Sequence, residues 1–205
     1  MLTVYGMSDS GNCYKPRLLL SLLGRPFRHV EVSTRDGSTR TEAFLKRNPA
    51  GQCPLLELED GRLLAESNAI LVYIADGTDF LPADPFERAE TLRWMFFEQN
   101  AHEVSIAVRR SLTVYPERKS PATPERMALT FENGMRALAV MERHLTAAPW
   151  FGPVRPSVAD IALYPYTATA ADGGFSLDGF PAVRSWLASV EALPGFQPVG
   201  WAPSP

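Results

Sequence analysis

The 205-residue sequence predicts an α/β domain with the element order βαβαββα, followed by an all-helical domain. Short apolar and alternating runs separated by helical stretches predict the first domain. After a connector rich in Gly, Pro and Asp, the chain keeps helical periodicity and shows no convincing strand pattern, which predicts the second. We therefore expect the domains to be residues 1–77 and 87–205, with residues 78–86 as the linker.

The first domain begins with a strand, a helix and a second strand. The apolar run LTVYG at residues 2–6 is typical of a buried strand, and FRHVEV at residues 27–32 alternates like a second one. Between them, residues 13–24 have the pattern of a helix that ends at Gly24. Strands joined through a helix are usually parallel. A short helix at residues 41–48 is expected to follow.

A hairpin and a helix complete the first domain. The runs PLLELE and RLLAE flank Asp60 and Gly61, a pair typical of a tight hairpin turn. A helix is predicted to begin at Ser67, in the segment SNAILVYIAD.

Four stretches of the second domain carry helical periodicity: residues 87–115, 124–147, 157–171 and 181–193. Two of them have recognisable start signals. Thr123 precedes Pro124, and Ser157 and Asp160 have the spacing of a capping box.

Composition and charge argue against several classes of partner. The net charge is -3, and charges of both signs are interspersed, so the sequence lacks the basic surface that nucleic acid requires. No apolar run approaches the roughly 20 residues that cross a bilayer, and the amino terminus does not resemble a signal peptide. We expect a cytoplasmic protein that binds neither nucleic acid nor membrane.

The cysteines and histidines do not suggest a metal site. Cys13 and Cys53 are too few for a disulfide framework and too far apart for a CxxC motif, and reduced thiols fit this pattern best. The three histidines have no ligand spacing. No metal is predicted.

The segment NPAGQCPLLELEDGRLLAESNAILVYIA at residues 48–75 resembles the glutathione-site signature of the glutathione S-transferases, NPxGxxP followed by a hairpin and ESxAI. The segment WFGPVRPSVADIALYPY resembles the carboxyl-terminal helical motif of that family. The order βαβαββα is that of a thioredoxin-like domain. The resemblance spans nearly the whole chain and is to the bacterial cytosolic type. It implies glutathione as co-substrate, a homodimer and a role in detoxification.

The resemblance also implies which residues bind glutathione. Pro54 is expected to follow a cis peptide bond, which would turn the backbone of Cys53 outward to pair with the extended tripeptide. Cys53 departs from the Val or Ile usual in the family, but that position binds through its backbone. Glu66 and Ser67 match an amino-acid head group, because a carboxylate accepts from an ammonium and a helix start binds a carboxylate.

The glycyl end of glutathione needs an amide or a cation. Gln52 matches the family position that reaches this end. Arg40 lies in the preceding segment, where a basic residue often serves the glycine carboxylate, and Arg35 and Arg47 are near enough in sequence to compete with it.

The loop SDSGNC, between the first strand and the first helix, is where a thioredoxin-like domain carries its reactive sulfur. Ser10 and Cys13 have CxxC spacing with serine in place of the nucleophilic cysteine, which predicts that the protein has no dithiol cycle of its own. Glutathione must then supply the sulfur. We expect the Ser10 hydroxyl to stabilise its thiolate, with Asn12 as an amide alternative. Ser8, Tyr5 and Cys13 are the other candidates.

Three functions are compatible with the sequence. The first is a glutathione transferase that adds the thiolate to a small, apolar electrophile bound by the helical domain. The second is a glutathione-dependent disulfide reductase or isomerase that uses the same site. The third is a non-catalytic interaction module, which ranks last because the glutathione clamp is intact. The sequence does not identify the electrophile.

Overall fold

The computed structural model describes residues 1–115, 117 and 121–203. The chain forms two compact units. The first contains residues 1–76 together with 193–205, and the second contains residues 77–192.

The first unit is a four-stranded sheet with three α-helices and a 3₁₀ helix at Ser38–Arg40. The sheet has the strand order β2-β1-β3-β4, in which β1 pairs parallel with β2 and antiparallel with β3, and β3 pairs antiparallel with β4. This arrangement confirms the predicted order βαβαββα. The elements are β1 (Leu2–Gly6), α1 (Gly11–Leu22), β2 (Phe27–Glu31), α2 (Glu42–Arg47), β3 (Leu55–Glu57), β4 (Leu63–Ala65) and α3 (Ser67–Ala75).

Apolar side chains on the central strands and on α1 and α3 form the core of this unit. Val4 on β1, Leu56 on β3, Leu19 on α1 and Ile70 on α3 are all fully buried. Burying each of these side chains stabilises the folded state by about 1.5–3 kcal/mol relative to leaving it exposed to water. The peptide bond between Cys53 and Pro54, just before β3, is cis, as the sequence led us to expect.

Residues 193–203 belong to the first unit, whereas the sequence suggested that they continue the helical domain. The Tyr14 hydroxyl donates to the Gln197 carbonyl, and Ser21 Oγ donates to the Gly195 carbonyl at 2.6 Å. Trp201 packs edge-on against Phe27. These contacts join residues far apart in the chain, so local periodicity could not indicate them.

The second unit is helical. Its elements are α4 (Pro85–Phe97), a π-helical segment (Glu98–Ala107), α5 (Val108–Val114), α6 (Pro124–Ala147), α7 (Val158–Ala168) and α8 (Pro181–Glu191). A 3₁₀ turn at Ala170–Gly173 follows α7. None of the described helices is long and apolar enough to cross a bilayer.

Local capping sets two of these helix starts. Helix α6 has the predicted bounds, and Thr123 accepts from the Arg126 amide at its start. Helix α4 begins two residues before the predicted position, because Asp84 accepts from the Phe86 and Glu87 amides and Pro85 occupies the first helical position.

The predicted capping box at the start of α7 is present and buried. Asp160 Oδ2 accepts from the Ser157 amide at 2.8 Å and from its hydroxyl at 3.1 Å. The carboxylate also accepts from the Phe151 and Gly152 amides and from Trp186 Nε1. The carboxylate of Asp160 therefore satisfies five buried donors.

Candidate functional site

Helix α1 begins with the predicted loop. Ser10 is its N-cap, and the Ser10 hydroxyl accepts from the Cys13 amide at 3.4 Å. Because Ser10 caps the helix, α1 starts at Gly11, two residues before the start that periodicity indicated. The first turn is Gly11, Asn12 and Cys13, none of them acidic, so the positive end of the helix dipole is not compensated within its own first turn.

The start of helix α3 lies against the start of α1. Ser67 Oγ donates to Asn12 Oδ1 at 3.3 Å, and this bond connects the first turns of the two helices. Two helix starts therefore face the same small region of the first unit. An anion is the ligand that such an arrangement favours.

Lys15 joins this cluster, and sequence reasoning missed it. Lys15 Nζ lies 3.5 Å from Ser67 Oγ and 3.4 Å from Asn68 Oδ1, and the side chain is fully buried. A signal was available: a lysine near the start of a helix opposes the helix dipole, and it lies three residues after Asn12 on the same helix face. The cluster thus contains a buried cation as well as two helix starts.

Glu66 has an unusual backbone conformation just before α3. Its φ of 70° makes it the one positive-φ residue other than glycine in the part of the chain that the structure describes. Such a conformation costs a non-glycine residue on the order of 1–3 kcal/mol and is found preferentially at functional sites. The side chain is exposed beside the buried Ser67.

The NPAG segment positions the residues around the cis peptide bond. Asn48 is buried, its side-chain amide donates to the Gln52 carbonyl at 2.9 Å, and its Oδ1 accepts from the Ala50 amide at 3.2 Å. Gly51 adopts a φ of +61° in this turn. Asn48 therefore fixes the turn that presents Gln52, whose side chain is exposed, and Cys53.

The three candidate arginines have different partners. Arg35 pairs with Asp9 at 2.7 Å, and Arg47 pairs with Glu57. Arg40 is exposed, and its Nη1 donates to the Ala50 carbonyl at 3.3 Å, which places it at the turn before Gln52. The structure therefore brings only Arg40 of these three beside the turn.

Two of the alternative candidates, Tyr5 and Ser8, make other contacts in the first unit. The Tyr5 hydroxyl donates to Glu57 Oε2 at 2.6 Å and accepts from Arg47 at 2.8 Å. The Tyr5 hydrogen bond holds the pKa of Glu57 below its usual value. Ser8 contributes its backbone, since its amide donates to the Glu31 carboxylate and its carbonyl accepts from Arg17.

The two cysteines lie together, which sequence spacing did not indicate. Cys13 is fully buried, Cys53 is half-buried, and each thiol shifts the pKa of the other. Burial raises the pKa of Cys13 well above the usual thiol value, whereas the hydrogen bond from Cys13 lowers the pKa of Cys53. The prediction that the protein has no dithiol cycle of its own considered the loop alone, and it stays a prediction, although folding places a second thiol, that of Cys53, near Cys13.

Comparison with known proteins decides the family. The model of the glutathione S-transferase N-terminal domain matches residues 9–76, and the model of the C-terminal domain matches residues 124–189. A glutathione S-transferase from Pseudomonas fluorescens is 45% identical in a solved structure, covers 97% of this chain and 98% of its own, and superposes with a TM-score of 0.93. The chain belongs to the glutathione S-transferase family. The resemblance and the fold that the sequence predicted are thus confirmed.

Curated relatives of this glutathione S-transferase have different names. Glutathione S-transferase GstB of Escherichia coli is 27% identical, covering 99% of each chain. Disulfide-bond oxidoreductase YfcG of the same organism is 26% identical, covering 95% of this chain and 92% of its own. A solved family member from Pseudomonas fluorescens with two glutathione bound is 25% identical, covers 95% of this chain and 89% of its own, and has a TM-score of 0.81.

The described residues, 1–115, 117 and 121–203, contain no group of three or more His, Cys, Asp or Glu side chains that could hold a metal ion.

Proposed function

We propose that this glutathione transferase uses Ser10 and Asn12 to stabilise the thiolate of bound glutathione for attack on a small, apolar electrophile. The observation that carries the proposal is the 3.3 Å hydrogen bond between Asn12 and Ser67, because it brings the uncompensated start of α1 to the start of α3. A thiolate at α1 and a carboxylate at α3 are two anions of one tripeptide.

The other polar residues of the region match the rest of glutathione. In this proposal Ser67 and the first-turn amides of α3 hold the carboxylate of the γ-glutamyl head, and the exposed Glu66 accepts from its ammonium. The backbone of Cys53 before Pro54 pairs with the extended centre of the tripeptide. Gln52 and Arg40, which lie at one turn, hold the glycyl end.

In this proposal, stabilising the thiolate of glutathione is what accelerates conjugation. A thiol with a pKa of about 8.5 is only a few per cent ionised at neutral pH. A hydroxyl donor and a helix start favour the charged form, and each unit by which they lower the pKa corresponds to about 1.4 kcal/mol. The thiolate then forms a carbon–sulfur bond with the electrophile, which completes conjugation.

A second function uses the same chemistry on a different substrate. A glutathione thiolate also attacks the sulfur of a disulfide, and the relative named as a disulfide-bond oxidoreductase supports disulfide reduction as the alternative. A purely non-catalytic role is disfavoured, since the residues that match the glutathione clamp are all present.

We also propose that the protein is a cytoplasmic homodimer that acts in detoxification. Large apolar side chains of the second unit are exposed, including Phe86 at 74% and Phe96 at 66%, and exposed apolar patches often mark interfaces. Light scattering is expected to report twice the chain mass of 22.6 kDa. A monomer at micromolar concentration would contradict the proposal.

The decisive experiment separates binding from activation. Ser10→Ala is expected to lower conjugation turnover by about tenfold to a thousandfold, while glutathione affinity measured by calorimetry changes little. Asn12→Ala tests the amide alternative. Ser8→Ala is the matched control from the same loop, and we expect it to behave like the wild type.

Each outcome leads to a different conclusion about the loop. If Asn12→Ala abolishes turnover and Ser10→Ala does not, the loop still stabilises the thiolate but through the amide. If neither variant slows turnover with electrophiles or with mixed disulfides, the proposed role of the loop is wrong.

A further inference from the structure

The contact between Cys13 and Cys53 is not used in the proposed conjugation. Cys53 lies just before the cis peptide bond, and Cys13 lies in the first turn of α1. The Cys13 thiol lies against Gly6 at the end of β1, and Tyr5 of β1 pairs with Leu55, two residues after Cys53, so both cysteines lie near this end of β1. These residues are 40 positions apart in the sequence, and only the fold makes them a pair.

Gly6 makes room for this pair. A Cβ atom at residue 6 would lie 2.8 Å from both Cβ and Sγ of Cys13, closer than real side chains approach each other. The absence of a side chain on Gly6 therefore allows the Cys13 thiol to lie directly against β1. A disulfide between Cys13 and Cys53 requires the two sulfurs to approach to about 2 Å.

A buried cation lies near the pair. Arg17 is fully buried, and its Nη2 donates to the Ser8 carbonyl at 2.7 Å. Its Nε and Nη1 are buried with no hydrogen-bond partner among the described residues. The charge of Arg17 interacts favourably with an ionised Cys13, so the unit contains a cation that stabilises the thiolate which Cys13 must form to react.

We propose that Cys13 and Cys53 form an oxidisable dithiol that reacts with small disulfides, glutathione disulfide in particular. In the first step the Cys53 thiolate attacks one sulfur of glutathione disulfide, which forms a mixed disulfide on Cys53 and releases one glutathione thiolate. In the second step Cys13 attacks the Cys53 sulfur, its proton passes to the departing glutathione thiolate, and the Cys13–Cys53 disulfide forms. The dithiol loses two electrons, and one glutathione disulfide becomes two glutathione molecules.

Exposure and ionisation assign the order of the two steps. Cys53 is accessible and has the lower pKa of the two, so it is the nucleophile. Cys13 is buried, so it meets a disulfide only after Cys53 has brought one to it. Conjugation by the reduced protein does not require this chemistry, and the two proposals can fail separately.

The test uses the full-length protein, reduced and then freed of reductant. It is incubated with excess glutathione disulfide, alkylated under denaturing conditions and analysed by intact-mass spectrometry and peptide mapping. The wild type is expected to lose both titratable thiols and the mass of two hydrogens, without a retained glutathionyl group. Cys13→Ala should stop with one glutathionyl group on Cys53, and Cys53→Ala should leave Cys13 unmodified.

Three results would overturn the proposal. The wild type could keep both thiols free, it could accumulate a stable glutathionyl group on Cys53 without forming the internal disulfide, or Cys53→Ala could be modified as fast as the wild type. If a variant folds poorly, the wild-type measurement still tests the proposal by itself. Since the readout is the mass of the protein itself, a failure of conjugation does not change it.

Discussion

Helices α1 and α7 both begin with a serine N-cap, yet the groups at the two helix starts have different partners. At α7 the fourth residue of the box is Asp160, and its buried carboxylate accepts from the Ser157 amide and hydroxyl. At α1 the fourth residue is Cys13, and the cap consists of one 3.4 Å hydrogen bond to Ser10. The serine cap is therefore accompanied by a carboxylate at the start of α7 and lacks one at the start of α1.

The difference shows how one local structure serves stability or binding. The dipole of α7 is compensated by a negative charge within its own first turn. The first turn of α1 contains no such charge, and a glutathione thiolate is the anion proposed to complete it. Three predictions test this comparison.

The largest effect is expected at the start of α7. Asp160→Ala leaves the Phe151 and Ser157 amides and Trp186 Nε1 buried without their acceptor, which should lower the free energy of unfolding by about 3–5 kcal/mol. Chemical denaturation measures this change. Asp178→Ala, which removes an exposed carboxylate from the same unit, should cost less than about 0.5 kcal/mol. Equal losses in the two variants would show that the capping network is not special.

A smaller effect is expected when the start of α1 receives a negative charge. Asn12→Asp keeps the shape of the side chain and its acceptor for Ser67 but places a carboxylate beside the proposed thiolate. Repulsion should raise the pKa of bound glutathione, so turnover at neutral pH should fall at least about tenfold and the pH–rate profile should move to higher pH.

The control for this variant is Asn100→Asp, an exposed change of the same kind in the helical unit. It should leave the pH–rate profile in place. A profile that does not move for Asn12→Asp would show that the start of α1 does not hold the thiolate.

The smallest effect concerns Cys13, the counterpart of Asp160. Cys13→Ala should cost about 1 kcal/mol of stability, since it removes one buried thiol but leaves no backbone donor without its acceptor. The Cys13 hydrogen bond keeps the pKa of Cys53 low, so its loss should raise that pKa. At a pH below the Cys53 pKa of both the wild type and the variant, Cys53 would be less ionised in the variant. Its alkylation by iodoacetamide should then be slower at the same pH. An unchanged rate would contradict the thiol contact.

Local pattern determined most of the fold. The turn at Asp60 and Gly61, the capping box from Ser157 to Asp160 and the start of α6 at Pro124 depend on residues close together in the chain, and all three are present as predicted. Helix starts at Gly11 and Pro85 were misplaced by two residues, because side-chain caps rather than apolar periodicity set them.

The sequence alone also pointed to the family and to the residues that make up the candidate site, because the motif at residues 48–75 is contiguous. Only the tertiary structure showed that Lys15 is buried against Ser67, that residues 193–203 pack on the first unit and that Cys13 lies near Cys53. Each of these contacts joins segments at least 40 residues apart. Local propensity and periodicity reflect neighbours within a few positions along the chain, whereas these contacts form only when the sheet and its helices pack.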